Sequence, residues 1–165
     1  MSILLFLKKY LRKFGLVEQL DFDQQVWGAK SLMDIHQQGS KFFLAEGNND
    51  DTVYTCWNGA SDNLPYAITV DTNGFTTGPV QDSSKIGDCM LWEYPPKISC
   101  ADAVIAMANA GITTVWQGCR LRQGVDPQYN PFYEFTFDTQ LKSLCGRNDP
   151  FTVNVDAVTG QVTKT

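Results

Sequence analysis

Apolar positions along this chain recur with two different periods, and the change of period divides it. Residues 2–17 place Leu4, Leu7, Leu11 and Phe14 at helical spacing, flanked by Ile3 and Tyr10, while Lys8, Lys9, Arg12 and Lys13 fall on the opposite side. This pattern predicts a basic amphipathic helix within residues 1–20. Ala29 to Glu46 predicts a second helix, with Leu32, Ile35, Phe42, Phe43 and Leu44 apolar and Gly39 weakening its middle. After the polar turn Gly47–Asp51 the period becomes two. Thr52–Trp57 reads as a strand closed by Asn58-Gly59, and Pro65–Asp71 puts Tyr66, Ile68 and Val70 on one face before Thr72-Asn-Gly74 ends it. Residues 75–99 lack a regular period and read as a long irregular connection.

The pattern then restarts. Ser99 or Asp102 can cap a helix running to Asn109, with Gly111 as its stop. Ala103, Ala106, Met107 and Ala110 make that helix narrow enough to lie close on a sheet. Thr113–Gln123 reads as a strand bearing Val115, Cys119 and Leu121. Phe132–Phe137 places Tyr133, Phe135 and Phe137 on one face, and Phe151, Val153, Val155 and Ala157 line the last strand. The predicted class is therefore α+β, with helices packed on one or two antiparallel sheets and preceded by an amphipathic helix. Its parts are 1–20, a first helix-plus-strands unit over 21–80, a connection over 81–98, and a second unit over 99–165. The units echo one another. Cys56 followed by Pro65–Thr76 parallels Cys145 followed by Pro150–Thr163, each closing in an Asp-plus-Gly turn, which points to one repeated supersecondary unit.

Composition narrows the function classes. With 43% apolar and 19% charged residues over 165 positions, the chain can bury a core and is not a disordered segment. Net charge is −5, and four of the 13 basic residues stand in the first thirteen positions, so the remainder carries 9 basic against 18 acidic residues. Nucleic acid is excluded as the main partner, because phosphate neutralisation needs clustered cations. Five cysteines (Cys56, Cys89, Cys100, Cys119, Cys145) lack a C-x-x-C pair and stand beside a single histidine, so neither a metal site nor a cofactor is implied. Two cysteine readings stay open: small buried apolar residues in a reducing compartment, or a two-disulfide secreted protein.

The first segment carries partner chemistry. Its apolar run Ile3–Leu7 is shorter than a signal-peptide core, and cations follow where a cleavage site belongs. It is also too short to span a bilayer. The compartment stays open between secreted and cytoplasmic. The helix can dock on its own acidic body, on a sister chain or another protein, or peripherally on an anionic membrane through residues 2–17. It can also be a cleaved or mobile extension.

Residues 99–163, above all Phe151-Thr-Val-Asn-Val-Asp-Ala-Val-Thr-Gly-Gln-Val162, resemble a PepSY domain, and residues 30–76 do so more loosely. The resemblance implies a noncatalytic module that binds or inhibits peptidases, or an interaction domain; it carries no active site. Gln24-Gln-Val-Trp-Gly28 is similar to the inhibitory hairpin loop of cystatins, which gives a peptidase-inhibitor alternative. A third alternative is a small cofactor-independent enzyme. His36 would be its base, Asp21, Asp23, Asp50, Asp51 or Asp138 its carboxylates, and Trp57, Trp92, Trp116, Tyr133 and Phe135 its aromatic pocket. The first expectation is protein binding or self-assembly, with Leu4, Leu7, Leu11 and Phe14 on one contact surface. Trp116, Arg120 and Arg122, expected on one strand face, form the other.

Overall fold

The computed structural model describes residues 19–47, 51–84, 90–113, 116–124, 130–137 and 152–165. The predicted helix bearing Leu4, Leu7, Leu11 and Phe14 lies outside the described residues, as do Cys89, Cys145, Asp50 and Asp138. Among the described residues the order is α1 (Phe22–His36), β1 (Lys41–Gly47), β2 (Thr52–Asn58), β3 (Pro65–Asp71), β4 (Thr76–Gln81), α2 (Cys100–Asn109), β5 (Trp116–Arg122), β6 (Phe132–Phe137), β7 (Thr152–Asp156) and β8 (Val162–Lys164). The protein is a mixed α+β fold dominated by one eight-stranded antiparallel sheet, ordered β4-β3-β2-β1-β5-β6-β7-β8. A helix followed by four meandering strands thus occurs twice, and the two meanders join through their first strands.

Both helices are capped by local sequence. Asp21 accepts the Gln24 amide while the Gln24 side chain accepts the Asp21 amide, and Ser99 with Asp102 repeats this reciprocal arrangement on α2. Val26, Ala29 and Met33, three and four residues apart, form the buried face of α1. Gln25 beside them is also buried, and its amide donates to the Val70 and Asp51 carbonyls at 2.9 and 3.1 Å, which fixes α1 against β3. The Phe22 ring meets Tyr133 edge-on, and the Tyr133 hydroxyl donates to the Ile98 carbonyl just before α2 at 2.8 Å. One core cluster therefore takes residues from both helices and from both halves of the sheet.

The hairpins closing the two halves are built alike. Asp71 Oδ1 accepts the amides of Asn73 and Phe75, and Asp156 Oδ1 accepts those of Val158 and Thr159. Gly74 and Gly160 each donate an amide to the carbonyl of their aspartate, with φ of +83° and +76° that a side chain would disfavour.

Two expectations are corrected. The second predicted helix does not run from Ala29 to Glu46: it begins earlier, at the Asp21 cap, and stops at His36, after which Phe42, Phe43 and Leu44 belong to β1. The adjacent apolar residues that looked like a helical face are a strand with a register shift between Phe42 and Leu44, which buries both Phe42 and Phe43. Residues 75–99 are not wholly irregular either, since Thr76–Gln81 pairs with β3 as the sheet edge. Proline is tolerated there because an edge strand needs only one side of its hydrogen-bonding groups.

Candidate binding face

Alternation along each strand sorts the sheet into two faces. On one, cross-strand neighbours run Ile68, Thr55, Ala45, Leu121, Tyr133, Val155 and Val162. The helices supply side chains to this face. One residue along each strand, the opposite face carries Thr77, Thr69, Tyr54, Glu46, Arg120, Glu134, Asn154 and Thr163 as successive partners across all eight strands. Neither described helix lies on that side.

Arg120 centres the polar row. Its Nη2 and Nε contact Glu134 Oε1 at 2.7 and 3.0 Å, and its Nη1 stands 3.6 Å from Glu46 Oε1. Glu46 comes from the first half of the chain, so this ion-pair group bridges the β1–β5 seam. The Arg120 side chain is 40% exposed and that of Glu134 only 12%, so the cation reaches solvent while its carboxylate partner is shielded. Beside it, the Arg122 guanidinium lies 5.2 Å over the Phe132 ring, with Leu44 as its neighbour on β1. Tyr54 extends the row and donates to Asp82 at 2.6 Å; burial first, and then this bond, push its phenol well above the ordinary range. The surface thus carries paired charges, an aromatic ring and a guanidinium plane side by side.

Trp116 does not share that face. A register shift between Trp116 and Gly118 turns its ring onto Phe135, 5.3 Å away on the core side, so the expected grouping of Trp116 with Arg120 and Arg122 is reduced to the arginine pair. The bulge has no local sequence signal, whereas Glu46 and Glu134, which sequence reasoning missed, are found only once strand register is known.

The other candidate chemistry is used structurally. Gln24–Gly28 is a helical segment of α1 in which Val26 is fully buried, so the five residues do not form a projecting hairpin wedge. The aromatics expected to line a pocket pack on one another instead. Phe42 meets Trp57, Trp92 and Tyr94 edge-on or tilted, and Phe135 likewise meets Tyr133 and Trp116. His36 is exposed and stands edge-on to Tyr66 at 4.7 Å. Asp21 caps α1, while Asp51 contributes its backbone carbonyl to Gln25 and Thr72.

Asp23 has the least expected role. Its two carboxylate oxygens accept the Cys100 and Ala101 amides at 2.8 and 3.2 Å, so a residue of α1 caps α2 across the core. Burial raises its pKa, against the lowering effect of those two amides. Cys56, Cys100 and Cys119 are buried.

No protein-family model matches the chain, and no curated protein matches it. In three dimensions the chain is similar to the crystal structure of a "putative lipoprotein" from Clostridium difficile 630, at 16% sequence identity and a TM-score of 0.60. The match spans 90% of this chain and 97% of that protein, so the likeness is one of overall fold.

Proposed function

We propose that the protein is a noncatalytic protein-binding or self-assembly module whose contact surface is the sheet face opposite the two described helices. The observation that carries this reading is the polar row centred on Arg120, held by Glu134 and Glu46 across the seam between halves. Charges pre-positioned this way give a partner orientation and selectivity at little ordering cost. We read the halves as a degenerate tandem of two PepSY-like helix-plus-meander units, supported by the matched turns at Asp71 and Asp156. That resemblance favours a peptidase or another protein as the partner class. The basic segment 2–17 supplies a second docking element for a partner or sister subunit, since the rest of the chain is acidic.

Native mass by light scattering tests the reading, using the full chain, the chain lacking residues 1–18, and Arg122→Glu. Self-assembly predicts a particle heavier than one chain that falls to a monomer in both variants. An oligomer untouched by either change overturns both contact surfaces. A monomer at every concentration removes self-assembly and leaves a different protein as partner, for which inhibition across a peptidase panel, lost in Arg122→Glu, is the expected result.

A further inference from the structure

Two of the buried thiols face each other across the core. Cys100 opens α2, Cys119 lies on β5, and their sulfurs are 3.7 Å apart although the residues are 19 positions apart in sequence. A disulfide has a sulfur separation of about 2.05 Å, so closure would bring the two sulfurs together by roughly a further 1.7 Å. The backbone of Cys100 is already held, because Asp23 accepts its amide and that of Ala101. Cys119 is held by the strand ladder, opposite Gly47 on β1 and Phe135 on β6. Cys56 belongs to the other face of the sheet, opposite Leu44 and Ala67, so the sheet itself separates it from the pair.

We infer that Cys100 and Cys119 are a disulfide-forming pair, closed as the chain folds in the presence of a small-molecule disulfide such as oxidised glutathione. One protein thiol loses its proton and its thiolate attacks the small disulfide, forming a mixed disulfide and expelling one thiolate. The second protein thiolate then attacks the protein sulfur of the mixed disulfide and expels the other small thiolate. The two expelled thiolates take up the two protons. The protein dithiol is oxidised by two electrons, and the small disulfide is reduced to two thiols. Both cysteines are almost fully buried in the native state, at 4% and 2% exposure, so exchange takes place before α2 seats on the sheet. The finished bond is then shielded from soluble reductants. It ties α2 directly to β5 within the second half and selects one pair among the five cysteines.

The test is to refold the full chain with oxidised and reduced glutathione, alkylate it in denaturant without reductant, digest it and measure peptide masses. The expected product is a Cys100 peptide joined to a Cys119 peptide, lighter by two hydrogen atoms than the sum of the separate peptides. Full alkylation of both residues, or Cys100 joined to any other cysteine, overturns the inference. Oxidation should also raise the thermal midpoint by about 5–10 °C, as a loop of this length predicts. That rise is expected to vanish in Cys100→Ala and to persist in Cys56→Ser. A rise that survives Cys100→Ala counts against the pair, and if that variant fails to fold, the peptide masses of the natural chain decide alone.

Discussion

The two faces of the sheet are made by the same strands, one residue out of step, and they solve opposite problems. The Ile68-to-Val162 row has its central members Ala45, Leu121, Tyr133 and Val155 fully buried under helix side chains. The neighbouring Thr77-to-Thr163 row is polar from edge to edge, with its only charges arranged Glu46, Arg120, Glu134 at the seam. Because side chains alternate, a one-residue slip of β5 would carry Arg120 into the core and Leu121 out of it. The charged row therefore does more than present a surface. It also marks the register in which the two halves join, where β1 pairs with β5, a strand not consecutive with it in the chain. The register that buries Leu121 is also the one that brings Glu46, Arg120 and Glu134 together on the opposite face.

Removing one large residue from each face separates the two most clearly. Tyr133 is fully buried between Phe22 and Phe135. Tyr133→Ala should cost about 3–5 kcal/mol in urea unfolding, through lost burial and the cavity left behind. Tyr133→Phe removes only the bond to the Ile98 carbonyl and should cost about 1 kcal/mol. Arg120→Ala should fall between the two, at about 1–2 kcal/mol, because it leaves the shielded Glu134 without its cation. If Arg120→Ala costs as much as Tyr133→Ala, the polar row is not the exposed face.

Sequence periodicity delivered the second half more completely than the first, for physical reasons. The Ser99–Asp102 box, the alternation Tyr133–Phe135 and the turn at Asp156 are local patterns, readable without knowing what lies opposite. The first half hides its elements. In α1 the helical stripe that looked apolar included Ile35, which is 83% exposed, while the true inner face uses the small Ala29 with Val26 and Met33. The run Phe42-Phe43-Leu44 obeys neither period because a bulge interrupts it. In β4, Gly78 and Pro79 remove the strand propensity, and nearly every residue is exposed, so no alternation marks it. The candidate face was half legible: Arg120 and Arg122 are two apart in sequence, but Glu46 and Glu134 join them only through pairing. The Asp23 cap on α2 was invisible, since a contact 77 positions away leaves no local trace.

A pH titration sharpens the contrast on the covered side, where two carboxylates hold the start of α2 with opposite signs. The Ser99 backbone and hydroxyl bonds hold Asp102 below its ordinary value of about 3.8, so its contribution is present above that value and is lost as pH falls through the lower folded value. Burial raises Asp23 above about 3.8, so the folded state favours its protonated form. The gain from that proton is complete below the ordinary value and is lost as pH rises through the folded one. Unfolding free energies at pH 7 and pH 3 should therefore differ less in Asp102→Ala than in the natural chain, and more in Asp23→Asn. Equal pH differences in all three proteins would remove both assignments.

The smallest expected effect is the most telling about the polar row. A double-mutant cycle with Arg120→Ala and Glu134→Gln isolates their pairwise energy from whatever each substitution does alone. Two bonds from one guanidinium to one shielded oxygen favour coupling, but with the Arg120 side chain 40% exposed, solvent screens the pair. The coupling should be about 0.5–1 kcal/mol at low salt and should shrink in 1 M salt. A coupling of zero would mean that Arg120 adopts other conformations, and the face would no longer be pre-positioned for a partner. A coupling of several kcal/mol, insensitive to salt, would mean that the pair is dry. Something would then already cover the face opposite the described helices, and the proposed contact surface would have to be sought at the exposed aromatics Trp27 and Phe75 instead.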